Sequence, residues 1–139
     1  MAYYLRPMLR YWRSTLKMIL QLMDPDRFQY EWSEITVDEL FNRVDSSLPP
    51  LIIDVRSVQE FKGGHGHIPN AKSIPIMELK SNLEDLQSFK EKEIVTICPG
   101  GGMSLVAVEI LTDAGFTDVK SLKGGQDLWR EKGYPTSTA

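Results

Sequence analysis

The chain of 139 residues contains one cysteine, Cys98, and only two histidines. A lone cysteine cannot close an internal disulfide, and no Cys/His group has zinc-ligand spacing. Neither staple is required, because a domain of this length buries a core of its own. A single free thiol fits a reducing compartment, so a cytoplasmic location is the expectation. Long apolar runs are also missing. Arginines interrupt the N-terminal region well short of the roughly 20 apolar residues of a membrane span. It also lacks the unbroken apolar stretch and small-residue cleavage site of a secretory signal. Positive charge is not in excess: the net charge of −3 argues against nucleic acid as a partner.

Acidic residues are absent from the first 23 positions, which carry Arg6, Arg10, Arg13 and Lys17. Leu5, Leu9, Trp12, Leu16, Ile19, Leu20 and Met23 recur at helical spacing on another face. This pattern predicts a basic amphipathic helix over residues 5–23, with a connector to about residue 30. Pro7 falls in its first turn, and Asp24-Pro25 ends it. Three roles stay open: packing on the domain or on a second copy, docking to a membrane surface or protein partner, and organelle targeting.

A single domain is expected over residues 31–137. Thr36 and Glu39 form a capping box before a short helix. Leu51–Val55 and Glu93–Ile97 are continuous apolar runs rich in β-branched residues, the pattern of strands buried on both faces. Phe61–Asn70 reads as irregular, Lys72–Ile76 as a weak strand and Met77–Phe89 as helical. Met103–Ala114 is a clear helix with Gly115 at its C-terminal cap. Val119–Leu122 is another strand, and Gly124-Gly125 leads into a helix through Trp129. Strands separated by helices imply a parallel α/β sheet covered on both faces.

Cys98 then stands directly after a central strand, in the segment Ile-Cys-Pro-Gly-Gly-Gly-Met-Ser. Ligand sites in open α/β sheets form at the carboxyl ends of strands. Gly100, Gly101 and Gly102 let backbone N–H groups turn inward toward an anion, and the following helix N-terminus adds partial positive charge. The anion is then either a ligand or the cysteine sulfur itself. Spacing alone leaves a second reading open, in which Cys98 is a small buried hydrophobe at a strand end.

Three stretches, in order, resemble the rhodanese family. Ile53-Asp54-Val55-Arg56, Glu60-Phe61, and Gly66-His67-Ile68-Pro69-Asn70-Ala71 with Ile74-Pro75 are similar to its first block. Cys98 and its Gly-rich loop match the active-site loop. Leu122-Lys123-Gly124-Gly125, Trp129 and Gly133-Tyr134-Pro135 are similar to its C-terminal signature. The resemblance covers about Trp32 to Pro135. It implies a five-stranded parallel sheet in an α/β sandwich, and a sulfurtransferase without metal or organic cofactor. Cys98 would accept a sulfane sulfur as a persulfide and pass it to a thiol acceptor. Pro99, Gly100, Gly101, Gly102, Met103 and Ser104 would form the persulfide-stabilising loop. Asp54, Arg56 and His67 would be structural supports, and Trp129 part of the core. An alternative is a non-catalytic module docked by the N-terminal helix.

The departures from the family pattern narrow the substrate. Cysteine phosphatases place an arginine six positions after the cysteine, where this chain has Ser104, so phosphate chemistry is not expected. Many rhodaneses carry an arginine where Met103 stands and a basic residue where Pro99 stands. Losing a cationic contact to a dianion costs about 1–3 kcal/mol. Weak thiosulfate activity is therefore expected, with a protein or low-molecular-weight persulfide as donor. Lys123 and Arg130 are candidates for charge supplied from outside the loop. The segment from Lys62 to His67 carries two additional residues. His65 among them makes at most a weak metal pair with His67.

Overall fold

A computed structural model describes residues 33–139. The expected amphipathic helix at 5–23 and its connector lie outside the described residues. Five parallel strands form one sheet in the order β1-β5-β4-β2-β3. They are β1 (Glu34–Ile35), β2 (Leu51–Asp54), β3 (Lys72–Ser73), β4 (Ile94–Ile97) and β5 (Val119–Leu122). The helices are α1 (Val37–Arg43), α2 (Val58–Lys62), α3 (Met103–Asp113) and α4 (Gly125–Glu131). β4 is central, with β2 on one side and β5 on the other.

Side-chain alternation along the strands divides the core in two. Ile53, Ile94 and Val119 pack with Leu86, Leu111 and Phe116 on the face covered by α3. Ile52, Val95, Ile97 and Leu122 pack with Leu40 and Trp129 on the face covered by α1 and α4. Both faces are apolar, which is why β2 and β4 read as unbroken hydrophobic runs.

The helix starts follow from side-chain caps. Thr36 accepts a hydrogen bond from the Glu39 N–H at 3.1 Å, as the capping-box spacing predicts. Ser57 caps α2 in the same way, accepting from the Glu60 N–H at 3.1 Å. This second cap turns the start of the segment expected to be irregular into helix. Two further expectations need correction. The strand expected over Lys72–Ile76 contains only Lys72–Ser73, since Pro75 has no N–H for a ladder. The helix expected over Met77–Phe89 is instead three 3₁₀ segments, Ile76–Glu78, Lys80–Asn82 and Glu84–Phe89. The Glu78 carbonyl accepts from the side chains of Ser81 and Asn82, both at 2.8 Å. Such side-chain bonds compete with the α-helical ladder.

α4 closes on the end of β4. The Gln126 N–H donates to the Cys98 carbonyl at 2.9 Å, and the Asp127 N–H to the Pro99 carbonyl at 3.0 Å. Only glycine permits this approach at position 125. Its φ is +63°, and a Cβ there would lie 2.2 Å from the Cys98 oxygen and 2.6 Å from the Pro99 oxygen.

The C-terminal segment returns to α1. The Tyr134 ring stacks on Phe41 with centroids 4.2 Å apart, and its hydroxyl donates to Asp38. That bond, and then one from Lys132, hold the Asp38 carboxyl below the usual carboxylate range.

Two outcomes are expected. Gly125→Ala must push backbone from backbone, so thermal denaturation should show a Tm lower by roughly 8 °C or more. An unchanged Tm would contradict the close approach. For Asp38 the folded value is lowered, so its contribution is present above about pH 4 and is lost as pH falls through the lowered value. The Tm difference between the native chain and Asp38→Asn should be constant above about pH 5 and vanish at lower pH.

Candidate functional site

Cys98 follows β4 directly, and the alternation of that strand decides where its side chain goes. Ile94, Thr96 and Cys98 share one parity and face α3. The Thr96 hydroxyl donates to the Ser104 carbonyl at 2.8 Å, tying the first turn of α3 to the strand. One step further along the chain, the Cys98 Sγ meets the Ser104 Oγ at 3.3 Å. The loop between them turns at Gly101, where φ is +90°, and brings the Gly101 N–H to the sulfur at 2.9 Å.

The sulfur therefore has one backbone donor and one hydroxyl contact, in which the hydroxyl donates when the sulfur is a thiolate and either atom can donate when it is a thiol. The reading of the glycines anticipated several converging amides. Among the described residues one backbone N–H reaches Sγ, and the Ser104 hydroxyl occupies a second direction. Ser104 in turn lies 2.6 Å from the Ser121 Oγ on β5. Cys98, Ser104 and Ser121 are all at most 1% exposed. A thiolate in such a place would be costly without donors, and two are supplied. Cys98 is also part of the apolar cluster beneath α3, so the strand-end hydrophobe and the hydrogen-bonded sulfur are one side chain.

The remaining loop residues take different positions. Pro99, Gly100 and Gly102 are half-buried. Met103 is 43% exposed and offers no charge. Lys123 and Arg130 are both exposed, and only Arg130 lines a cavity beside the loop.

The supports lie one strand away. Arg56 Nε and Nη2 donate to both Asp54 oxygens at 2.8–3.1 Å, and Nη2 also donates to the Gly66 carbonyl at 3.0 Å. Asp54 is fully buried and the Arg56 side chain 5% exposed. The pair thus fixes the end of β2 to the turn at Gly66. His67 is 3% exposed. Its Nδ1 lies 2.8 Å from the Phe61 carbonyl, the arrangement of a ring that carries its proton there. Its ring stacks on Phe61 at 3.7 Å. Trp129 is fully buried and donates to the Pro135 carbonyl at 2.8 Å.

Reading the loop alone missed three residues. Ser121 shares the parity of Val119, which places it on the α3 face of β5. Gly125 and Gln126 belong to a segment quoted for its resemblance, but their approach to Cys98 is a tertiary fact. Among the described residues no three His, Cys, Asp or Glu side chains gather as a metal site. No helix among them is long and apolar enough to cross a membrane.

Residues 36–132 match the Rhodanese-like domain family. A thiosulfate sulfurtransferase of Arabidopsis thaliana, named as chloroplastic, is 34% identical over 94 residues, covering 60% of this chain and 77% of the relative. An HTH-type transcriptional regulator of Mycobacterium tuberculosis is 40% identical over 103 residues, covering 73% of this chain but only 43% of the regulator. The crystal structure of a rhodanese-related protein from Thermoplasma volcanium superposes with a TM-score of 0.68 at 30% identity, covering 78% of this chain and all of that one. A cysteine at the end of the central parallel strand, a glycine turn onto its sulfur, and a family match that spans four of the five strands lead to one conclusion: this chain belongs to the rhodanese-like domain family.

Proposed function

We propose that Cys98 carries sulfane sulfur as a persulfide between a persulfide donor and a thiol acceptor. The observation that carries this reading is the pair of polar contacts on the sulfur, the Gly101 N–H donating at 2.9 Å and the Ser104 hydroxyl at 3.3 Å, which donates to a thiolate. Family membership and the sulfurtransferase name of the Arabidopsis thaliana relative support a sulfurtransferase role.

In the first half-reaction the Cys98 thiolate attacks the terminal sulfur of a donor R–S–SH. The Cys98 Sγ–S bond forms, the donor S–S bond breaks, and RS⁻ leaves with the electron pair. A proton from solvent converts RS⁻ to the thiol. In the second, an acceptor thiolate attacks the same terminal sulfur, and the Cys98 thiolate leaves. Both states of Cys98 are anionic or strongly polar, so hydrogen-bond donors fixed around Sγ act in each half-reaction. The same two donors would stabilise the leaving thiolate without reorganisation. No charge of the loop faces the sulfur, and Met103 stands where a cationic side chain would meet a dianion. A donor of lower charge than thiosulfate therefore suits the site.

Burial of Cys98 at 1% exposure favours one other reading, a non-catalytic module that its N-terminal segment docks to a partner. The Mycobacterium tuberculosis regulator matches this chain over under half of its own length, so the same domain is carried there within a larger protein. In this reading the thiol is inert and Cys98→Ser retains function.

Intact-protein mass after exposure to glutathione persulfide should increase by one sulfur atom, and Cys98→Ser should show no gain. Thiosulfate should load the native chain far more slowly. Ser104→Ala removes one bond to a charged sulfur, so the loading rate should fall about 10- to 100-fold. A loading rate untouched by Ser104→Ala, or sulfur gained by Cys98→Ser, would overturn the assignment.

A further inference from the structure

Ser121 interrupts the apolar face that β5 turns toward α3, which Val119 begins. It is fully buried, as are Thr96 beside it on β4 and Ser104 on α3. A buried hydroxyl is costly unless it is bonded, so each of the three needs a partner. Thr96 spends its hydrogen on backbone, donating to the Ser104 carbonyl at 2.8 Å. The Ser121 hydroxyl has one partner among the described residues, the Ser104 Oγ at 2.6 Å. That is at the short end for two hydroxyls. Cys98 Sγ, Ser104 Oγ and Ser121 Oγ thus form one line of hydrogen bonds. It runs from the sulfur into the core and stops there, so it is no proton path to solvent.

Proton count sets the direction of this line. Each hydroxyl carries one hydrogen and can also accept. A thiolate only accepts, so Ser104 gives its one hydrogen to the sulfur. Ser121 then donates to Ser104, and both O–H dipoles point toward the anion. When the sulfur is a thiol, the S–H can donate to Ser104 and Ser104 to Ser121, which reverses the line. Aligned hydrogen bonds strengthen one another, and bonds that end on a charge are the stronger ones. The line therefore favours thiolate over thiol. Charged groups on the adjoining elements are paired or lie nearer solvent. Asp54 and Arg56 on β2 bond to each other, and Lys120 on β5 pairs with Glu93 and Asp118. Lys123 follows β5, Glu109 and Asp113 lie on α3, and Asp127, Arg130 and Glu131 lie on α4. None of these six is buried.

We infer that Ser121 is a positioning residue for Cys98: its hydroxyl donates to Ser104 and so commits the one Ser104 hydrogen to the anionic sulfur. The inference takes the thiolate as the working state from the persulfide reading, and the thiolate can be measured without any sulfur transfer. A thiolate stabilised in this way is present at lower pH and is a weaker nucleophile once formed. Loss of the Ser121 hydroxyl moves those two properties in opposite directions.

The test is a pH titration of the full chain by the ultraviolet absorbance of its thiolate, read against Cys98→Ser. A single cysteine per chain assigns the signal. Ser121→Ala should move the midpoint up by about half a unit. Its loading rate from glutathione persulfide should fall about twofold at a pH below the midpoint. Above both midpoints that rate should equal or exceed that of the native chain. Ser104→Ala should move the midpoint further. Adding Ser121→Ala to Ser104→Ala should move it no more, because Ser121 acts through Ser104. A serine that only packs would lower Tm on replacement and leave the midpoint in place. A midpoint unmoved by Ser121→Ala, or moved equally with and without Ser104, overturns the role of Ser121 and leaves Cys98 standing as a sulfur carrier. A native chain that gains no sulfur overturns the persulfide reading, while the midpoints still report on Ser121, so the two failures are distinguishable.

Discussion

A hydrogen bond from the Gly101 N–H to the Cys98 sulfur, 2.9 Å long, is the contact on which the rest of the site depends. A sulfur this deeply buried has no water to solvate its anion, so every donor must come from the protein. The peptide that supplies this one is turned by a positive φ at Gly101, a conformation costly for other residues. Ser104 adds a hydroxyl that donates to the sulfur in its thiolate form, because α3 begins one residue before it. The first turn of that helix is held to β4 through Thr96. The donors are thus positioned by the strand and the helix, not by the loop alone.

The opposite side of the loop is held as firmly. α4 donates two backbone N–H groups to the carbonyls of Cys98 and Pro99. Those bonds orient the peptide planes that begin the loop, and they demand glycine at 125. Trp129, fully buried on the far face of the sheet, anchors α4 against β4 and β5. The core that stabilises the domain and the frame that aims the loop are therefore the same set of contacts. The Asp54–Arg56 pair extends this frame to the Gly66 turn. That turn carries the segment bordering the neighbouring cavity.

How much of this could be read from the residues depended on the range of the interactions involved. β2 and β4 were legible because a strand buried on both faces must be largely apolar. α3 was legible from its periodicity and from Gly115. β1 contains only Glu34–Ile35, and it exists through pairing with β5, so nothing local marks it. The 3₁₀ segments between Ile76 and Phe89 kept an apolar spacing compatible with a helix. Ser81 and Asn82 redirected the hydrogen bonds. At the site, Cys98 and its glycines announced themselves by composition. The Ser104–Ser121 contact joins residues 17 apart on two elements, and strand parity was the only local hint of it. The count of amides around the sulfur was overread, because glycine permits an inward turn without requiring one.

The most direct test of sulfur held by the loop is an amide NMR spectrum of the full chain before and after one equivalent of glutathione persulfide. The expected result is a displaced Gly101 amide resonance accompanying the mass gain of one sulfur atom, with the resonances of Leu51 to Ile53 unmoved. A Gly101 resonance that stays in place while Cys98 carries the added sulfur would contradict the role given to its N–H.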